Sequence, residues 1–141
     1  MNMQRASLFS AIVLAIMTSA GCASMSDTGG VKLSGAQEVP AVTTTASGSS
    51  AIMVAADKSV SGSVKTSGID GKAAHIHQGA LGANGPVVVP LTKTADGMWS
   101  VPAGTTLTDA QYAAYQAGGM YVNVHSATNP GGEIRAQLSG K

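Results

Sequence analysis

The chain has 141 residues with eight basic and seven acidic side chains, a formal net charge of +1, and one Trp, three Tyr and one Phe. That balance, with no basic run, excludes a nucleic-acid interface built on a cationic, ring-bearing surface. One cysteine excludes a disulfide framework, and the abundance of Gly, Ser, Thr, Ala and Val favours strands and tight turns over helices.

Met1 to Thr18 opens with a single cation, Arg5, followed by the apolar run from Ala6 to Met17. This reads as a secretory signal, too short and wrongly flanked for a spanning helix. It ends in Ser19-Ala20-Gly21-Cys22, small residues ahead of the sole cysteine. The arrangement resembles a bacterial lipoprotein signal, which implies cleavage before Cys22 and lipid on its sulfur. It departs from that pattern at Ser19, where leucine is usual. The alternative is ordinary cleavage near Ala20 or Ala23, leaving a free thiol, a liability in an oxidising compartment. The expected organisation is a signal peptide over 1–21, a Ser/Gly-rich tether over 22–30, and one folded domain over 31–141. The expected location is the cell envelope, lipid-anchored at the outer membrane or periplasm, or outside the cell as a secreted protein.

Val31 to Gln37 reads as a first strand, ended by Glu38-Val39-Pro40, where Pro40 removes a backbone donor. Ser49 to Ala56 and Ser59 to Thr66 read as a β-hairpin turning at Asp57-Lys58. Ser67-Gly68 and Asp70-Gly71 mark turns, and Lys72 to Gly79 is a strand holding two of the three histidines. The glycine-rich stretch from Gly79 to Pro86 lacks the spacing and the Lys-Ser/Thr pair of a phosphate loop. Val87 to Val89 reads as a buried strand closed by Pro90. Asp96-Gly97 is a turn, and Met98 to Val101 a short strand. Thr108-Asp109-Ala110-Gln111 has capping-box form, with Leu107 and Tyr112 placed as a staple, so one short helix runs to about Ala117 and stops at Gly118-Gly119. Met120 to His125 and Gly132 to Leu138 are antiparallel neighbours across Thr128 to Gly132. About seven or eight short strands with turns between them predict an all-β Greek-key sandwich or barrel with one short connecting helix.

Side chains alternate between the two faces of a strand. His75 and His77 therefore project together, opposite Ile76. Tyr121, Asn123 and His125 share a face opposite Val122 and Val124, and Glu133, Arg135 and Gln137 a face opposite Ile134, Ala136 and Leu138. With the branched apolar residues on the core, the polar set is expected to point outward as a solvated face. An ordinary solvated strand carries Thr, Ser or Lys, which this chain uses freely elsewhere. All three histidines falling in two strands of one phase instead predicts a metal site of His75, His77 and His125. Neutral imidazoles suit copper, zinc, nickel and iron, and copper ranks first and zinc second. Glu133 is a fourth ligand or orients a histidine, or else forms an ion pair with Arg135 or Lys72. Asn123 and Arg135 are expected behind the ligands. Met98 and Met120 read as core residues. No nucleophile elbow and no recognisable carboxylate pair appears.

Leu33 to Pro40, Ala74-His75-Ile76-His77 with Gly79-Ala80 and Asn84 to Val88, Tyr121 to His125, and Asn129 to Arg135 together resemble the CHRD domain, a family named for chordin and common in bacterial secreted proteins. The resemblance spans about Val31 to Leu138. It implies a secreted all-β module of immunoglobulin-like or superoxide-dismutase-like sandwich shape. In chordin such domains belong to an extracellular protein that binds growth factors, so the resemblance also allows a non-enzymatic interaction module without metal. The His-x-His strand is similar to that of Cu/Zn superoxide dismutase, where such a pair ligates copper. Three histidines are too few for that enzyme's two metals, and the zinc-loop cluster is missing. A mononuclear copper redox enzyme is a third reading. A protein partner, or a homodimer sharing the histidine face, is compatible with each.

Overall fold

The computed structural model describes residues 30–140; the expected signal peptide, Cys22 and all of the tether except Gly30 lie outside the described residues. Its first strand, β1 (Val31–Leu33), is shorter than expected. The Gly35 carbonyl accepts the amides of Glu38 and Val42, so the chain closes a 3-10 turn, Gly35–Gln37, instead of extending the ladder. The hairpin about Asp57-Lys58 is present. One arm is β2 (Ser47–Ser50) and β3 (Met53–Val54), the other β4 (Val60–Ser61) and β5 (Ser63–Ser67). A single register runs from Ser47 opposite Ser67 to Val54 opposite Val60. It is broken at Gly62, whose φ of 111° suits glycine alone.

The histidine strand is β6 (Gly71–Gln78), followed by β7 (Val87–Pro90), β8 (Thr92–Ala95) and β9 (Met98–Ser100). β8 was not anticipated. All four of its residues are exposed, so no apolar alternation marks it, and only its pairing to β9 across Asp96-Gly97 makes it a strand. The helix α1 (Asp109–Gln116) carries the expected reciprocal cap, with the Gln111 amide donating to Thr108 Oγ1 and the Thr108 amide to Gln111 Oε1. β10 (Met120–Ser126) and β11 (Ile134–Leu138) complete the order. The divided hairpin arms and β8 raise the described segments to eleven.

Two sheets form the sandwich. One has the order β1-β2-β5-β9-β8, the other β11-β10-β6-β7, with β3-β4 as a two-stranded extension. β10 lies beside β6 although β7, β8, β9 and α1 intervene, a crossover of the Greek-key kind, and all pairings are antiparallel. Leu33, Val64 and Trp99 from the first sheet share one core with Ile76, Val122, Val124, Ile134 and Ala136 from the second. Met120 is buried there as expected, while Met98 is only partly covered.

Ile134 has no exposed surface. Ile134→Ala is expected to lower the unfolding free energy by about 2–5 kcal/mol, read from a urea titration. An unchanged midpoint would show that this side chain does not help hold the sheets together.

Candidate metal centre

The second sheet sets its remaining side chains on the face away from the core. Register places His77 beside Tyr121 and Tyr121 beside Gln137; one row along, His75 lies beside Asn123 and Asn123 beside Arg135. The expectation that this face is solvated is overturned. Tyr121, Asn123, Arg135 and His77 are all buried. Alternation identifies the apolar face but says nothing about what folds over the other, and here the Gly79 to Pro86 loop does so.

Arg135 holds that roof down. Its Nη2 donates to the Ala83 carbonyl at 2.8 Å and the Ala80 carbonyl at 3.4 Å, and its Nη1 to Asn84 Oδ1 at 3.3 Å. Its guanidinium carbon lies 3.4 Å from the centre of the Tyr121 ring. Gln137 Nε2 donates to the Gly79 carbonyl at 2.8 Å, and Asn84 Nδ2 to the Val39 carbonyl at 2.7 Å. Arg135, Gln137 and Asn84 thus find their partners on the loop and at Val39.

The three imidazoles converge at one edge of this covered face. One ring nitrogen from each of His75, His77 and His125 lies within 4.8 Å of the others. His125 stands where the β6–β10 pairing slips between His125 and Ser126. His77 Nδ1 is 2.9 Å from the Gly85 carbonyl, and His125 Nδ1 is 2.9 Å from the Pro130 carbonyl. A carbonyl only accepts, so both Nδ1 atoms carry the proton and both Nε2 atoms carry the lone pair. His75 Nδ1 lies 2.9 Å from His125 Nε2. His77 Nε2 is buried and has no hydrogen-bond partner among the described residues. The His77 ring lies parallel to that of Tyr121, with centres 4.7 Å apart.

Burial holds His75 below the ordinary histidine range, and the neighbouring His125 and His77 rings push the same way. Burial also lowers His125, outweighing the Pro130 carbonyl, with His77 adding to the effect. These rings are neutral at neutral pH, the form in which imidazole ligates a metal. An unpartnered buried lone pair and two rings backed by carbonyls fit a transition-metal ion. Three nitrogens without a thiolate fit copper, zinc, nickel or iron.

Glu133 is not brought into the cluster. Thr44 Oγ1 donates to its Oε1 at 2.6 Å. Hydrogen bonds from Ser126 first, then Thr44 and Asn129, hold its carboxyl below the usual carboxylate range against the opposing effect of burial. Nor does it pair with Lys72, which bridges to Asp70. Arg135 reaches the histidines only through Tyr121 and the loop. Asn123 sits beside His75 in the ladder, hydrogen-bonded to Glu38, with its own Oδ1 unpartnered.

Two members of this face escaped the sequence reading as site residues. Tyr121 was legible, being in phase with Asn123 and His125. Glu38 was not placed, because it lies in a turn with no alternation to orient it. It is buried, and burial pushes its carboxyl up to about 7 against the pull of the Arg135 charge and the Asn123 amide. Gly132, at φ 124°, lets the chain pass: a Cβ there would come within 2.6 Å of Asn123 Nδ2 and Glu38 Oε1.

These observations define a class: a small β-sandwich module with three imidazoles set against a loop-covered polar face. Residues 30–138 match the CHRD domain family, and the chain belongs to it. No curated protein and no solved structure matches the chain.

The raised acid gives a signed pH dependence. The folded chain keeps the Glu38 proton up to about pH 7, whereas the unfolded chain loses it in the ordinary carboxylate range. Folded protein therefore binds more protons in that window, and the stability contributed by the protonated acid is lost as pH rises through it. Glu38→Gln removes the effect. Its stability relative to the unsubstituted protein is expected to improve by about 1–3 kcal/mol between pH 4.5 and 7.5, measured by urea unfolding at both values. A difference that stays constant with pH would refute the assignment.

Proposed function

We propose that this protein holds one transition-metal ion on His75, His77 and His125, copper in preference to zinc, as a cell-envelope lipoprotein anchored through Cys22. The observation that carries this reading is the His77 Nε2 atom, buried and unpartnered among the described residues within a group of three converging rings. An unsatisfied buried acceptor costs about 1–3 kcal/mol, and a bound cation removes that cost. Copper is preferred because Cu(II) binds nitrogen sites most tightly in the divalent series. With no thiolate and no carboxylate in the cluster, a fourth position is left for water or an exogenous ligand. Such a site suits storage, delivery or one-electron chemistry.

A second reading has its own support. The His75–His125 contact and the two carbonyls satisfy most of the ring nitrogens within the protein. On that reading the rings are structural, and the domain is an extracellular interaction module without metal.

Calorimetric titration of metal-stripped protein with Cu(II) and Zn(II) separates the two. The metal reading expects one equivalent bound with sub-micromolar affinity, weakened on the order of 100-fold or more in His77→Ala. At a free-metal concentration about 100 times the dissociation constant, unfolding should cost about 2.7 kcal/mol more. Negligible binding near neutral pH would leave the interaction module as the function.

A further inference from the structure

The hydrogen bonds around the three rings set His75 apart. Backbone carbonyls take the Nδ1 protons of His77 and His125, so each of these rings presents Nε2 as its donor. Among the described residues, His75 makes no hydrogen bond to a carbonyl through its ring. Its only ring partner among the described residues is His125 Nε2, at 2.9 Å from its Nδ1. Since His125 already donates its single proton to Pro130, the proton in this contact belongs to His75 Nδ1. The site without metal is therefore closed on itself, with the His125 lone pair occupied by the His75 N–H.

We infer that a metal ion enters by replacing that bridging proton: His75 coordinates through Nδ1, His77 and His125 through Nε2, and His75 changes tautomer as it binds. This deepens the metal-binding reading and rests on it. The proton leaving Nδ1 is matched by one taken up from solvent at Nε2, so the ring stays neutral and no net proton is released. One hydrogen bond is lost, and coordinate bonds from His75 Nδ1 and His125 Nε2 take its place.

The spacing suits the exchange. Two nitrogens each about 2.0–2.1 Å from one ion are about 2.9 Å apart at a right angle and about 3.3 Å apart at the tetrahedral angle. The hydrogen bond holds this pair at 2.9 Å. An N–H···N hydrogen bond sets that distance by itself, and it lies close to the spacing of two nitrogens on one ion. The two lone-pair axes face each other, so the rings must turn for an ion to be shared. The same contact that closes the metal-free site thus keeps the two donors near the separation that a shared ion requires. The third donor, on His77, stays oriented by Gly85 whether or not the metal is present.

The test is ring-nitrogen NMR on the full chain labelled with 15N-histidine, which has only three histidines to assign. Zn(II) is the probe, because it is diamagnetic. Without metal, all three rings are expected as Nδ1–H tautomers. With one equivalent of zinc, one ring should convert to Nε2–H while two keep Nδ1–H, and the converting signal should be missing from His75→Gln. Should that variant fail to fold, through-bond correlation to the β6 backbone makes the same assignment. If zinc binds and all three rings remain Nδ1–H, every ligand is Nε2; the inference is then overturned while the metal reading stands. A His75 already on Nε2–H before metal is added overturns it as well. If no ring responds to zinc and calorimetry shows no binding of zinc or copper, the metal reading falls and takes the inference with it.

Discussion

A buried guanidinium governs the geometry of the covered face. Arg135 is 1% exposed and forms no salt bridge among the described residues. A charge in such a place is tolerated only when its donors are met. Here they are met by carbonyls and an amide of the Gly79 to Pro86 loop, by Gln137, and by the face of Tyr121. The loop that satisfies the arginine is fixed by it, and one further carbonyl of that loop, Gly85, turns His77. Tyr121 joins the two ends. Its ring packs on both the guanidinium and the imidazole, and its hydroxyl accepts the Gly85 amide at 3.1 Å. The direction of a lone pair on β6 is thus set by a charge on β11, two strands away.

The same burial explains the behaviour of Glu38. It is the one buried acid near Arg135, yet desolvation outweighs the attraction and favours its neutral form. Arginine is supported mainly by dipoles, not by an opposite charge. The acid and Asn123 instead form a polar pair wedged against Gly132, each with one oxygen left unpartnered.

The sequence was informative where a period could be followed. The phase of β6, β10 and β11 put His75, His77, His125, Asn123 and Arg135 on one face, and the structure places them there. The Asp57-Lys58 hairpin and the Thr108 cap were likewise legible, because turn and cap residues act over a few positions. What could not be read was anything set by contacts between distant segments. Whether the polar face met water depended on Arg135 finding the carbonyls of Ala80 and Ala83, and no local pattern records that. Glu133 was in phase with the histidines in the expected last strand, but it precedes β11 and its carboxylate turns to Thr44, far back in the chain. β8 was invisible because all of its residues are exposed, leaving only the pairing to define it.

The two functional readings differ in how they treat one atom. Histidines kept for structure alone should end with every ring nitrogen matched, as the Nδ1 atoms of all three rings are. His125 Nε2 is matched too, but by another histidine. His77 Nε2 is matched by nothing among the described residues, though the ring around it is held by a carbonyl and a tyrosine. A ring so firmly oriented, with its free lone pair buried, gains no stability from that lone pair. A lone pair positioned without a protein partner fits a ligand atom, and it supports the proposed metal reading over the interaction module.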